Sequence, residues 1–337
     1  MADPLLSTLR ISLLVLCMFA AARSDFRTLS VRDDHWIRWA IPASIILVLE
    51  MASSDAGFEN VCMTFALVAI FSFCLLAPPD PRKLGEWGVQ EASLSIAYLL
   101  GASGIIGGAI AYSETDFVDL VLGDESANTT LWWSMMGALL TALAFYFSWR
   151  FGLIPGGADV KALILVTIFF PSWAFVPDQI YPLAEDPLFR MPPSMVMFVW
   201  AAAAFLIAPP VILAHNVTRG NITAVSDLKM AWHATKQKIS ESTQLSGMDE
   251  TSWILTEVIE KNGEKTVVNR ILPSSKSAIG TERGANLALL EEMGLDSVWV
   301  ARKHPFLVYL FLAILPTLLL GDPLAYLIRS SPRESSQ

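Results

Sequence analysis

Charge is what this sequence has least of. Only 16% of its 337 residues are Asp, Glu, Lys or Arg, where a soluble domain carries roughly 25%. Hydrophobic residues make up 54%, and the mean hydropathy is +0.50. These values exclude an ordinary soluble domain and make the chain a membrane protein. Histidine is scarce too: His35, His215, His233 and His304 show no HExxH motif and no metal-ligand spacing. The three cysteines, Cys17, Cys62 and Cys74, lie singly inside apolar runs. With no CxxC pair, neither a zinc site nor a disulfide framework is expected, and the three read as small hydrophobes. There is no Gly-x-Ser-x-Gly elbow and no phosphate loop. A net charge of -9 without a basic stripe argues against nucleic acid as a partner. No cofactor is expected.

Long hydrophobic runs are what the sequence has in quantity. A spanning helix needs about 20 mostly apolar residues, and eight candidates occur: Pro4–Ala22, Trp36–Ser53, Val61–Ala77, Ala92–Tyr112, Leu131–Trp149, Val160–Val176, Ser194–Ala214 and Pro305–Ile328. The sixth is short and holds Pro171, which predicts a kink. Arg10 interrupts the first, so it must snorkel or face the bundle interior. Asp322 requires the end of the last run to reach the headgroups. The first run ends in Ala20-Ala21-Ala22, which resembles a cleavage site. The arginines that follow favour an uncleaved first helix.

Lysine and arginine set the orientation. With the segment after the first helix in the cytoplasm, nineteen of the 23 basic residues fall on that side. The outer loop Ser113–Thr130 then holds five acids and no basic residue. The sequon at Asn128 would face outward, whereas those at Asn216 and Asn221 would not. The expected fold is an all-α polytopic membrane protein of about eight transmembrane helices with a small α+β cytoplasmic domain. A membrane domain covers 1–215 and a polar domain 216–303. The last helix (304–329) and a polar tail (330–337) follow. Within the polar domain, Trp253–Ile259, Asn262-Gly263 and Thr266–Val268 read as a hairpin with a tight turn. Asp227–Ser246 reads as a polar, helical connector, Ala285–Met293 as a helix ended by Gly294, and Ser297–Val300 as a strand.

Two acids stand where helices meet the membrane edge. Asp159 lies in Ile154-Pro155-Gly156-Gly157-Ala158-Asp159-Val160-Lys161, directly before an apolar run. Asp25 lies in Arg23-Ser24-Asp25-Phe26-Arg27, where the first run stops. Alone, Asp159 could equally be a helix-capping loop residue. An acid at a membrane edge is costly, however, and the orientation puts both on the same face. Carboxylates held close tend to share one proton. The ionised member can take a proton from water while the protonated member hydrogen-bonds a scissile carbonyl. Asp25 and Asp159 are therefore the candidate catalytic pair. Gly156 and Gly157 permit a sharp turn and close approach of a substrate strand. Lys161 and Arg27 read as cytoplasmic anchors near the site, either of which could tune the pair. Glu50 reads as a structural polar contact near the outer end of the second helix.

These residues resemble the archaeal preflagellin and prepilin peptidases, membrane aspartic proteases of the GxGD group. Asp25-Phe26-Arg27 is similar to the first catalytic motif of that family. Gly156-Gly157-Ala158-Asp159-Val160-Lys161 is similar to the second, with Ala158 in place of the last glycine. The stretch Val298-Trp299-Val300-Ala301-Arg302-Lys303-His304-Pro305-Phe306-Leu307 resembles the family's entry into its last helix. The family's core is usually six helices, so an eight-helix count adds a pair. The resemblance implies cleavage of the short basic leader from archaellin or type IV pilin-like precursors at the cytoplasmic membrane face. Without the paired CxxC motifs of bacterial relatives, methylation is not expected. Asp227, Glu241, Asp249 and Glu250 are candidate receptors for a basic leader. Two other readings are a presenilin-like intramembrane protease and a proton- or cation-coupled transporter. The first usually carries Tyr-Asp and Pro-Ala-Leu motifs that do not occur here. The second usually places charge near the bilayer midplane.

Overall fold

The structure is a computed structural model describing residues 4–122, 124–177, 191–239, 252–261, 264–272 and 280–323. Among these the α-helices are α1 (Pro4–Thr28), α2 (Asp33–Ser53), α3 (Phe58–Phe73), α4 (Val89–Ala111), α5 (Phe117–Leu122), α6 (Ala127–Arg150), α7 (Gly157–Phe169), α8 (Pro193–Leu206), α9 (Ala208–Thr218), α10 (Leu228–Ala231), α11 (Gly280–Glu292) and α12 (Phe306–Leu320). The strands are β1 (Thr235–Lys238), β2 (Ser252–Ile254), β3 (Thr256–Lys261), β4 (Glu264–Asn269) and β5 (Ser297–Arg302). Two compact units result, Met1–Ala202 with Phe306–Gln337, and Ala203–Pro305.

Helices form in all eight apolar runs, but among the described residues five stretches are long and apolar enough to cross a membrane: α1, α2, α4, α6 and the Pro193–Thr218 run of α8 and α9. α3 and α12 are apolar but shorter. α7 has 13 residues. The expected sixth run, Val160–Val176, stops being helical at Phe169, because Pro171 disfavours the helical conformation at Phe170, which takes φ -135° and ψ 79°. A capped turn at Trp173–Phe175 follows, with the Ser172 side chain accepting the Ala174 N–H.

α7 is the centre of the helical unit. Val160 and every residue from Ala162 to Phe169 are buried, and α7 packs against α1, α2, α3, α6 and α12. A helix apolar on all sides is one enclosed by protein. The outward faces of the surrounding helices are apolar as well: Ile37, Ile41, Ile45 and Leu49 form an exposed stripe at helical spacing on α2. A patch of that kind has a lipid, not water, as its natural neighbour.

Small residues bring α3 and α4 together. A Cβ on Gly101 would lie 2.7 Å from the Ala66 nitrogen, and one on Gly104 2.7 Å from the Met63 nitrogen. Trp132 of α6 donates its indole N–H to the Gly104 carbonyl at 3.1 Å. Close backbone approach of this sort drives helix association where lipid offers no hydrophobic gain. Arg10 does not snorkel. It is fully buried, ion-paired with Glu50 of α2, and its guanidinium lies 4.9 Å from the Phe175 ring. Asp322 is also buried, just past α12, where it accepts the Met191 N–H at 2.9 Å.

In the second unit, β1-β5-β2 form an antiparallel sheet and β3-β4 a separate antiparallel hairpin. One face of the three-stranded sheet packs Val298, Val300 and Ile254 against Leu287 and Leu290 of α11. The other packs Trp299, Ala301 and Leu255 with Met230, Ala231 and Leu213. α9 is tied in by Asn216, whose amide donates to the carbonyls of Ala231 and Ala234. The expected strand Trp253–Ile259 is two strands. At Leu255 the backbone turns aside to donate its N–H to Trp299 and accept that of Arg270, so Ile254 and Leu255 bury on opposite faces. The connector expected over Asp227–Ser246 is a single helical turn followed by β1 as far as it is described. α11 is longer than the expected Ala285–Met293 and does end at Gly294, which takes φ +78°. Asn262-Gly263 and the tail from residue 330 lie outside the described residues.

Candidate active site

Asp25 sits one turn from the end of α1 and is 7% exposed. Its Oδ2 accepts the backbone N–H of Leu307 at 3.3 Å. Leu307 is the second residue of α12, so its N–H is one of the four that a helix leaves without an internal partner. Asp25 thus caps a helix from outside, where the positive end of the helix dipole favours a carboxylate. Past Asp25, Leu29 takes φ +51° and returns its N–H to the Asp25 carbonyl at 2.8 Å. The side chains of Ser24 and Thr28 both donate to the Ser30 carbonyl, at 2.8 and 3.1 Å, and pin the turn into α2.

Asp159 lies in the first turn of α7, again at a helix N-terminus. Its carboxylate folds back over Gly156, and a Cβ on Gly156 would collide with Asp159 Oδ2. Gly157 is less constrained: a Cβ there would meet the Trp149 indole at 3.3 Å. α1 and α7 pack together, which places Asp25 and Asp159 on adjoining helices of one compact unit.

The remaining expected site residues divide. Ala158 is half-buried and packs on the helical core. Lys161 turns away from solvent and pairs with Asp33, the first residue of α2, at 2.6 Å. It is therefore more than the surface anchor expected of it. Arg27 is exposed. Two contributors were not foreseen. Leu307 acts through its backbone and carries no side-chain signal. Asp33 is visible in sequence only as one of two acids opening α2.

Among the described residues, no three His, Cys, Asp or Glu side chains gather as a metal site. Asp227 is not available as a leader receptor. It is 9% exposed and accepts from the Thr223 N–H, the Thr223 hydroxyl and the Ala224 N–H. Burial alone would raise its carboxyl, but those bonds and the charge of Lys236 bring it below the ordinary value. Glu241, Asp249 and Glu250 lie outside the described residues. No protein-family model and no curated protein sequence matches the chain.

Proposed function

We propose that this protein is a membrane aspartic endopeptidase of the GxGD type that removes short basic leaders from archaellin or type IV pilin-like precursors at the cytoplasmic membrane face. The observation that carries this reading is the placement of Asp25 and Asp159 on two packed helices, α1 and α7, distant in sequence, with each carboxylate set at a helix N-terminus. In this account the eight apolar runs are eight membrane segments, a six-helix core with an added pair. α7 is the enclosed one, and Ala203–Pro305 includes the cytoplasmic domain.

The chemistry follows from one shared proton. The ionised carboxylate takes a proton from a water molecule as its oxygen bonds to the scissile carbonyl carbon. The protonated carboxyl donates to the carbonyl oxygen and stabilises the tetrahedral intermediate. Collapse breaks the C–N bond, and the leaving amine takes a proton from the dyad. Two macroscopic pKa values then belong to the pair rather than to either residue. Gly156 lacks the side chain that would collide with Asp159 Oδ2, so the carboxylate can lie against the loop backbone.

Purified protein in detergent micelles, mixed with a synthetic leader peptide ending in Lys-Gly and an apolar stretch, tests this. Cleavage at a single bond in the presence of chelator supports hydrolysis by the chain's own carboxylates. Failure to cleave, together with proton- or cation-coupled uptake in sealed liposomes, would favour the transporter reading.

A further inference from the structure

Asp33 is a charged group that no catalytic step uses, yet it lies in the circuit joining the two aspartates. Asp25 is followed by a four-residue turn, Leu29 to Arg32, that is fastened by the Ser24 and Thr28 hydroxyls to the Ser30 carbonyl. That turn delivers Asp33 as the first residue of α2. From there the carboxylate reaches Lys161 Nζ at 2.6 Å. Lys161 is two residues beyond Asp159 on α7, and its side chain is only 12% exposed. Backbone, ion pair and backbone therefore close a ring from Asp25 through Asp33 and Lys161 to Asp159.

We propose that Asp33, acting through Lys161, is a positioning residue that fixes the spacing of Asp25 and Asp159. A surface ion pair contributes little to stability, but this one has a largely buried cation and a short contact. It also joins the N-terminal part of α7, which carries Asp159, to the start of α2, which the fastened turn links to Asp25. Its relevance to turnover rests on the peptidase reading. Its effect on the two carboxylates does not.

The variants are Asp33→Asn, Lys161→Met and the charge swap Asp33→Lys with Lys161→Asp, each checked for wild-type expression and thermal unfolding. Two readouts are used on the full chain in micelles. The first is kcat and KM for leader-peptide cleavage. The second is the pH dependence of dicyclohexylcarbodiimide modification at Asp25 and Asp159, located by peptide mass spectrometry, since the reagent attacks protonated carboxyls. The single variants should lower kcat on the order of tenfold to a hundredfold, the scale of a small misplacement of catalytic groups. KM should change little, and the modification midpoint at Asp159 should shift. The swap should return both readouts towards wild type. Wild-type kcat and an unmoved midpoint in the single variants would overturn the proposal. So would a swap that restores thermal stability without restoring either readout. Should the wild type cleave no leader, the peptidase reading falls, while the modification arm still decides the role of Asp33.

Discussion

Asp25 and Leu307 meet across 282 residues of sequence, the carboxylate of one accepting the backbone N–H that opens the last helix. This contact makes the start of α12 part of the site without giving it any side-chain chemistry. It also sets Asp25 apart from an ordinary membrane-edge acid, because its carboxylate is held by a helix N-terminus from a distant part of the chain.

Gly156 is the position where the site is least tolerant. Gly156→Ala puts a methyl group where Asp159 Oδ2 lies. The displaced atom ends a flexible side chain, so folding should survive, while cleavage should fall by on the order of a hundredfold. Gly157→Ala meets only the Trp149 ring edge and should lose far less. Comparing the two variants at equal expression in a peptide assay checks this. Equal activities would contradict the geometry.

The Arg10–Glu50 pair offers a stability test away from the site. Arg10→Met removes the guanidinium paired with buried Glu50 and should destabilise the protein by about 3–5 kcal/mol. Arg10→Met with Glu50→Leu should recover most of that loss. Denaturant unfolding in micelles reads both, and a double variant no better than the single would sink the account of a dedicated pair.

Close packing of α3 on α4 depends on the absence of a side chain. Gly101→Ala drives a methyl against the Ala66 backbone and should cost about 1–3 kcal/mol through overpacking. Gly137→Ala, where a Cβ meets nothing within 4 Å, serves as the control in the same unfolding experiment.

Asp227 gives a pH dependence with a defined sign. Its folded carboxyl lies below the ordinary value of 3.8 despite burial, because three hydrogen bonds and Lys236 favour the charged form. A depressed folded pKa contributes stability that is complete above the unfolded pKa and is lost as pH falls through the folded one. Amide exchange at Thr223 and Ala224, corrected for intrinsic rates, should therefore be slow at pH 5 and quicken below about pH 4. Asp227→Asn should be fast at both.

Much of this was readable before the structure. Apolar runs of this length announce the helices because in a helix every backbone hydrogen bond is satisfied within the segment, and the lysine and arginine bias is the ground for expecting Asp25 and Asp159 on one face. The eight runs did not show which are long enough to span, since a helix enclosed by protein, like α7, has the same composition as one facing lipid. Leu255 was hidden because an alternating strand and two strands meeting at a buried residue share a pattern. The Asp25–Leu307 bond and the Lys161–Asp33 pair depend on tertiary approach, and no local spacing encodes that. Gly101 and Gly104 drew no notice in the sequence, because what their missing side chains admit depends on the partner helix.

The most direct measurement is processing of a co-expressed pilin-like precursor with a Lys-Gly leader by wild type, Asp25→Asn and Asp159→Asn. Asparagine keeps the shape of each side chain and removes its ionisation. The account predicts a shortened precursor with wild type and full-length precursor with either variant at normal protein levels. Continued cleavage by either variant would contradict a catalytic dyad and leave that aspartate a structural cap.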